Sequence, residues 1–400
     1  MKRVVVVGGG YGGLRVIEGL EKNEDIEITL IDINPYHYLQ TEAYAYIASK
    51  SDVYDIAIDL ENWCAGFSRV KFVQMQVDSI DFERKCVLGE NNSIEYDYVV
   101  VAVGARTNFF SFIEGLREHS YGVKFLQKAY NFRKDFESLL HTILHAKSGD
   151  TEETYNIAIG GAGLSGVEVA AEMAFVLKEY EKTIGKRSLE INIYLIDASE
   201  TILPGSSTFI IKNTTNRLQK LGVKILTSAF ISRVEKSTIY FKDGQELTYC
   251  FMIFTGGIKA APLCESIESQ KNRLSQLIVD TNLNISGDKN AFGVGDCVEL
   301  RDKNGKILPP TAQIAERSAE YVAKSILAHK HGESYKEFDA SVMGVFVALG
   351  GKYAVGEMFG LIKVSGYKAY LLKKAITYAY YLGLKLRVNA GYKIRNKNLN

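Results

Sequence analysis

Two clusters of glycines, each followed by an acidic residue, are the features of this 400-residue chain that predict chemistry. The first cluster places Gly8, Gly10 and Gly13 in a G-x-G-x-x-G pattern. Glycines at this spacing permit a tight turn, let backbone approach a pyrophosphate and let a helix pack closely on a strand. Asp32 follows about 20 residues later, where a carboxylate accepts hydrogen bonds from ribose hydroxyls. The first 32 residues therefore predict a dinucleotide site, the alternative being a glycine-rich turn in an ordinary βαβ unit.

The second cluster repeats this pattern with Gly161, Gly163 and Gly166, and its acid is Asp197. Glu200 follows Asp197, and no Lys or Arg lies nearby in the sequence. A 2′-phosphate would meet two carboxylates and no cation there. The second site is therefore expected to prefer NAD(H) over NADP(H).

The secondary structure needed to position these residues is visible in the sequence pattern. Apolar β-branched runs precede both glycine clusters, as expected for buried parallel strands, and helical periodicity follows both. A meander of short strands is predicted over residues 70–103 and again over 223–255. Each meander closes on a small residue, Gly104 in one and Gly256 in the other, and such strand ends let backbone approach a ligand.

Two later segments are expected to complete the first site. A strand over residues 291–294 leads into Gly295 and Asp296, whose carboxylate is placed to accept from a ribitol hydroxyl. A helix is predicted over residues 311–329, with an alanine-rich face that begins at Ala312. Such a face suits close approach to a flat ring, or tight packing of the helix on its neighbours.

The composition is that of a water-soluble globular chain, with 46% apolar residues and mean hydropathy near zero. No run of 18 apolar residues predicts a membrane span, and no signal peptide is recognised. The five cysteines form no C-x-x-C pair, so no metal site is expected and a reducing cytoplasm is favoured. The near-neutral balance leads us to expect no nucleic-acid partner.

Charge is distributed unevenly along the chain. Residues 358–400 contain nine Lys or Arg and no acid, so the net charge of +1 leaves −8 for residues 1–357. A basic, tyrosine-rich helix is predicted over 365–387, and its longest uncharged run, ten residues from 375 to 384, is too short to span a bilayer. We expect this tail to bind an anionic membrane surface in plane, although its basic residues do not fall cleanly on one face. Packing on the body or on a dimer partner is the alternative, and deletion of 365–400 is expected to leave nucleotide binding intact.

The motifs together resemble the two-dinucleotide flavoproteins and, within them, the type II NADH:quinone oxidoreductases. Residues 36–40 look like the family's Y-H-x-x-Q segment, and residues 163–168 look like its second glycine motif with the following Glu. Residues 312–315 look like the start of its A-Q-x-A-x-Q quinone motif, with Arg317 at the last position instead of Gln. The resemblance covers essentially the whole chain.

This resemblance implies a redox function. FAD would occupy the first site, without covalent attachment since no His or Cys motif suggests it, and NADH would enter the second as substrate. A hydride would pass from NADH to flavin, and two electrons would pass on to a membrane quinone without proton pumping. Glu168 would orient nicotinamide or relay a proton, unless it merely favours the first turn of its helix, and Gln313 would bind flavin or quinone. Lys352 would stabilise the reduced flavin, or be an exposed loop lysine; the further expected flavin contacts are Tyr11 and Val77.

The expected fold class is α/β, with two Rossmann-like domains and a C-terminal membrane-associating segment. The FAD domain is expected over 1–120 and 284–335, the NADH domain over 150–265 and the C-terminal region over 336–400, with a polar domain crossing at 148–153. We expect a respiratory enzyme at the cytoplasmic side of the inner membrane, and the sequence leaves a homodimer open. A sulfide:quinone reductase-like flavoprotein and a redox-sensing NADH-binding protein are the alternatives.

Overall fold

The computed structural model describes residues 1–90, 92–145, 154–184 and 190–398. The helices are α1 (Tyr11–Leu20), α2 (Ala43–Ile47), α3 (Val53–Ile56), α4 (Leu60–Ala65), α5 (Leu126–His145), α6 (Leu164–Ile184), α7 (Thr208–Leu221), α8 (Leu263–Ser266), α9 (Ala312–Lys330) and α10 (Tyr367–Asn398). The strands are β1 (Lys2–Val7), β2 (Ile26–Asp32), β3 (Tyr36–Tyr38), β4 (Ala57–Asp59), β5 (Val70–Gln74), β6 (Ser79–Asp81), β7 (Cys86–Gly89), β8 (Asn92–Glu95), β9 (Tyr98–Val101), β10 (Ala105–Thr107), β11 (Tyr121–Gly122), β12 (Thr154–Gly160), β13 (Glu190–Ile196), β14 (Lys224–Leu226), β15 (Ile231–Val234), β16 (Thr238–Phe241), β17 (Glu246–Thr248), β18 (Phe251–Phe254), β19 (Ile258–Ala260), β20 (Leu277–Ile278), β21 (Asn284–Ile285), β22 (Asp288–Gly293), β23 (Val298–Glu299), β24 (Gly344–Ala348), β25 (Ala354–Met358) and β26 (Ile362–Gly366).

Two doubly wound sheets form the body of the protein. The first has the order β21-β22-β9-β1-β2-β5, with β22 through β5 parallel and β21 antiparallel at one edge. The second has the all-parallel order β11-β18-β12-β13-β14. The Val and Ile runs of the central strands are buried, as in residues 4–7 of β1 and 98–101 of β9, and their lack of polar residues predicts this burial. The α/β class with two Rossmann-like units is confirmed.

The chain crosses between the two units through the antiparallel pair β10 and β19. Strand β11 pairs with β18, so the second sheet already contains Tyr121 and Gly122. The chain therefore joins the second unit before residue 150, earlier than the sequence interpretation placed the boundary. The polar crossing expected at 148–153 lies outside the described residues.

Helices α1 and α9 pack against each other through small residues. A Cβ added to Gly19 of α1 would lie 2.6 Å from the Ala323 Cβ of α9. Most of the alanine-rich face of α9, including Ala319 and Ala323, is buried in this way. Tight packing therefore accounts for most of that face, while Ala312 and Ala315 at its start border the cavity described below.

The C-terminal region is a three-stranded antiparallel sheet, β24-β25-β26, followed directly by the 32-residue helix α10. Ala369 and Leu384 of α10 are buried against the body, and a Cβ on Gly391 would overlap the Asn62 carbonyl oxygen near α4. No helix among the described residues has the length and apolar character needed to traverse a bilayer.

Candidate active site between two nucleotide-binding loops

The first glycine loop has the geometry that its spacing predicts. Gly8 adopts φ +110°, and a Cβ there would lie 2.4 Å from the Ala102 carbonyl oxygen. A Cβ on Gly13 would lie 1.9 Å from the Gly8 carbonyl oxygen, so only glycine allows α1 to approach the loop this closely. No atom lies within 4 Å of a Cβ built on Gly10, which faces open space. The loop thus leaves room for a phosphate group at the N-terminus of α1.

Asp32 is tied to this loop. Its Oδ2 accepts from the Gly9 backbone N–H at 2.7 Å, and its Oδ1 accepts from the Asn34 N–H at 2.7 Å. Burial raises the pKa of Asp32, and these backbone donors partly oppose that rise. The carboxylate is therefore held at the end of β2, and its remaining lone pairs are available to a ribose.

The second loop repeats these contacts. Gly161 adopts φ +99°, and a Cβ on Gly166 would lie 1.9 Å from the Gly161 carbonyl oxygen. Gly163, like Gly10, has no atom within 4 Å of a built Cβ. Asp197 accepts from the Ala162 N–H at 2.5 Å and from the Ser199 N–H at 2.7 Å. A Cβ on Gly161 would meet Gly256, which closes its strand against the loop, at 2.5 Å from the Gly256 nitrogen.

A cavity of about 660 Å³ lies between the first loop and α6. Its volume falls in the range of cofactor sites, roughly 300–1,000 Å³. The candidate residues that line it are Gly8, Gly10, Tyr11, Asp32, Val77, Gly104, Glu168, Asp296 and Ala312. The second loop contributes Leu164 and Ser165 at the start of α6, so both nucleotide-binding loops border one cavity. The wall at the far end includes the aromatic rings of Tyr44 and Phe346.

Asp296 is paired with a cation at the cavity wall. Its Oδ2 lies 3.0 Å from Lys124 Nζ, and both side chains are largely buried. Lys124 was not predicted at this site, because Lys124 lies far from Asp296 along the chain. The pair keeps a charged acceptor and a charged donor at the place where a ribitol chain was expected.

Glu168 also lines the cavity and is buried, in the second turn of α6. Its Oε1 accepts from the Ala348 N–H at 2.9 Å and from Lys373 Nζ at 2.7 Å. Burial raises the pKa of Glu168, and Lys373 opposes that rise. The carboxylate is bound by β24 and α10, so it does not simply favour the first helical turn.

A second lysine of α10 forms an ion pair with another buried carboxylate. Lys374 Nζ lies 2.8 Å from Glu42 Oε2, while Glu42 Oε1 is buried without a partner among the described residues. Adjacent residues of α10 thus bind acids from two parts of the body. The sequence interpretation counted Lys373 and Lys374 only as basic residues of the tail.

Two expected residues are placed elsewhere. Gln313 Oε1 accepts from the Met343 N–H at 2.8 Å, and the Arg317 guanidinium approaches the Met343 sulfur at 2.7 Å, so both hold the segment before β24. Lys352 is exposed, and the structure does not bring it to the cavity lining. The lysines that do line the cavity are Lys124 and Lys373.

None of the five cysteines is among the residues that line this cavity. Cys264 and Cys297 do come close, with the Cys264 sulfur 3.8 Å from the Cys297 carbonyl oxygen, but both are buried behind the wall. Within the described part of the chain, no three metal-ligating side chains are grouped. The arrangement suits a dinucleotide cofactor and a second nucleotide that meet within one cavity.

Comparison with known proteins agrees with this geometry. The family model described as pyridine nucleotide-disulphide oxidoreductase matches residues 2–319. A type II NADH:quinone oxidoreductase of Staphylococcus aureus is 30% identical over 383 residues, covering 94% of each chain.

Solved structures share the fold at lower identity. NDH2 of Plasmodium falciparum, solved with NADH, has a TM-score of 0.84 at 19% identity, covering 98% of this chain and 97% of that one. The sulfide:quinone oxidoreductase of Aquifex aeolicus has a TM-score of 0.80 at 20% identity, covering 97% of this chain and 92% of that one. These two likenesses establish the fold alone.

Proposed function

We infer the activity of this chain from its family: the chain belongs to the pyridine nucleotide-disulphide oxidoreductases and, within them, to the type II NADH:quinone oxidoreductases. It is an FAD-dependent enzyme that oxidises NADH and passes two electrons to a quinone. Bound FAD supplies the hydride-accepting and electron-delivering chemistry, and the protein supplies binding, orientation and electrostatics.

One observation carries this function to the residues of this chain. The first glycine loop and the N-terminal part of α6 border the same cavity, so two nucleotides held by the two loops would have their reactive ends in one space. We propose that Gly8, Gly10 and Asp32 hold FAD, with Gly13 packing α1 closely enough for the pyrophosphate to reach the loop. Gly161, Gly163, Gly166, Asp197 and Gly256 would form the NADH site.

Residues at the cavity wall would orient the flavin and the nicotinamide. The fixed pair of Asp296 and Lys124 offers an acceptor and a donor to polar groups of FAD. Glu168, held by Ala348 and Lys373, is proposed to orient the nicotinamide or to hold a proton near it. Gln313 is proposed to act on the quinone side through the segment that it fixes, since its amide oxygen is already bound by Met343.

The quinone side of the proposal rests on the outer face of α10. Its exposed positions from 371 to 386 carry no charge and recur at helical spacing, as Leu371, Leu372, Ala375, Ile376, Tyr378, Ala379, Leu382, Gly383 and Leu386. No charged residue lies on this apolar stripe, although the sequence pattern led us to expect basic residues on more than one face of the helix. Of the basic residues beside it, Lys373, Lys374 and Arg387 bind groups of the body, and Lys385 lies over the ring of Tyr381.

The apolar stripe is proposed to seat the protein in the membrane interface, lying in plane. Four of the nine basic tail residues are already engaged with the body, namely Lys373, Lys374, Arg387 and Arg395. Attraction to anionic lipid therefore rests on fewer charges than the count of nine, and burial of the stripe contributes the rest. An anionic cytoplasmic leaflet is the proposed surface. A second copy of the chain on the same stripe is the alternative.

Anaerobic reduction tests the activity. The purified holoprotein should lose its yellow absorbance on addition of NADH and regain it on addition of a menaquinone or ubiquinone analogue. Reoxidation as fast as steady-state turnover supports the enzyme, whereas a long-lived reduced complex that quinone does not reoxidise supports a redox sensor. Absence of bleaching by NADH would contradict the proposed function.

A further inference from the structure

Helix α10 reaches the first nucleotide loop through one partly buried side chain, that of Tyr380. The Tyr380 hydroxyl lies 3.2 Å from His37 Nε2, although the two residues are 343 positions apart. Burial raises the pKa of Tyr380 well above its usual value, so the phenol stays protonated and is able to donate. Helix α10 thus contacts β3, which runs beside the first loop.

His37 continues this contact to the loop itself. Burial lowers the pKa of the His37 ring to about 4, and the nearby Gly9 backbone opposes that change. A neutral imidazole has one donor and one acceptor nitrogen. In the tautomer that carries its proton on Nδ1, the ring accepts from the Tyr380 hydroxyl at Nε2. The Gly9 N–H donates to Asp32, so this glycine lies between Asp32 and the His37 ring.

A second contact runs through Tyr11, the first residue of α1. Its ring stacks on Tyr380 with centroids 5.2 Å apart, and it meets the edge of His37 at 4.9 Å. The Tyr11 hydroxyl is 2.8 Å from Thr41 Oγ1, which fixes the ring in this position. Tyr11, His37 and Thr41 all line the cavity, whereas Tyr380 lies behind them.

From these contacts we propose that Tyr380 is a positioning residue for FAD, which makes α10 a structural part of the flavin site. Tyr380 holds the loop from Gly9 to Tyr11 in its binding conformation, through His37 on one side and Tyr11 on the other. A loop held in place loses less conformational freedom when ligand binds, so the contacts increase affinity. The proposal rests on the assignment of FAD to the first loop.

The test measures FAD release from the full-length holoprotein, followed by the rise in flavin fluorescence, together with the FAD dissociation constant. Tyr380→Phe removes only the hydroxyl, and we expect the dissociation constant to rise about 3- to 10-fold. Tyr380→Leu also removes the stack, and we expect a rise of about 10- to 100-fold. Tyr392→Leu, an exposed tyrosine of the same helix, is the matched control and should match the wild type.

A double-mutant cycle with His37→Asn separates positioning from general packing. If Tyr380 acts through His37, Tyr380→Phe should have a smaller effect on FAD affinity once His37 is replaced. Unchanged FAD release in Tyr380→Phe and Tyr380→Leu would overturn the proposal, as would lower thermal stability of the apoprotein with unaltered affinity. Where Tyr380→Leu fails to fold, Tyr380→Phe decides.

Measurements on the wild-type protein distinguish a failure of this inference from a failure of the proposed function. Wild-type protein that binds no FAD, or whose FAD is not reduced by NADH, would contradict the function itself. Variants that bind FAD weakly while NADH still reduces the bound fraction support the positioning role and leave the function intact.

Discussion

The Glu168 carboxylate lies 2.7 Å from the Lys373 ammonium group, and both side chains are almost fully buried at the cavity. This ion pair joins α6, which follows the second nucleotide loop, to α10, whose outer face is apolar. Removing one partner would leave the other charged and buried, which is strongly unfavourable. The tail is therefore part of the body, and deletion of 365–400 is expected to destabilise the protein, contrary to the sequence-based expectation.

Glu168→Gln should slow flavin reduction by NADH or weaken NADH binding by about tenfold, because the amide keeps the shape but loses the charge facing Lys373. FAD content should be unchanged. Stopped-flow reduction at several NADH concentrations provides the measurement. Glu172→Gln is the matched control, since Glu172 lies one turn further along α6 and also pairs with a lysine, Lys50, outside the cavity. Equal kinetics in Glu168→Gln and wild type would leave Glu168 a structural role.

NADH should be preferred over NADPH by at least about tenfold in kcat/KM, since one misplaced charge costs about 1.4 kcal/mol or more. Asp197 directly follows β13 and accepts from the backbone N–H groups of Ala162 and Ser199, and among the described residues no cation is paired with it. Asp197→Ala should lower the ratio of kcat/KM for NADH to kcat/KM for NADPH. Its FAD content, which serves as the control, should be unchanged. Comparable specificity constants for both nucleotides in the wild type would contradict the assignment.

Ile376→Glu and Leu382→Glu should each weaken binding to anionic liposomes about tenfold or more, because each places a charge in the apolar stripe of α10. Pelleting at fixed lipid concentration measures the effect. Phe112→Glu, an exposed aromatic residue away from α10, is the control. If pelleting were unchanged while light scattering showed a dimer converting to monomer, the stripe would be an interface between copies.

Glu316 gives a pH dependence of stability. Burial raises the pKa of Glu316 to about 7. The positive charge of Arg15 opposes this rise, and the negative charges of Glu18 and Glu320 add to it. The folded protein thus holds this proton more tightly than the unfolded chain does, so the group's contribution to stability falls as pH rises from about 4.5 to about 7.

Glu316→Gln should remove the part of the decline in stability that the titration of Glu316 causes. Its urea midpoint should exceed that of the wild type by more at about pH 7.5 than at about pH 4, because these two values lie on either side of the interval from about 4.5 to about 7. The exposed Glu333→Gln is the control. A constant difference between variant and wild type across this pH range would contradict the raised pKa.

Gln313→Ala should impair quinone turnover more than flavin reduction by NADH. Its amide binds the backbone at Met343, directly before the strand that carries Phe346 into the cavity wall. Rapid-mixing measurements of each half-reaction separate the two effects. Equal losses in both half-reactions would place the role of Gln313 at the flavin.

The sequence by itself determined the two nucleotide-binding units. Glycine spacing, β-branched strands and the acids Asp32 and Asp197 are local features, because each unit is built from contacts within about 30 to 40 residues. Hence Gly8, Gly10, Asp32 and their counterparts Gly163 and Asp197 have the predicted geometry. Local periodicity also indicated α10.

Only the tertiary structure decided what surrounds those units. Lys124 and Lys373 come to the cavity, and Tyr380 comes to the residues behind its wall, from elements far away in sequence. No periodicity indicates which lysine turns inward. Lys352, which follows two glycines, was expected to stabilise the reduced flavin, yet that lysine is exposed. The face that α10 presents to the body depends on how β24–β26 place it, so the apolar stripe and the buried basic residues emerge only once long-range packing is known.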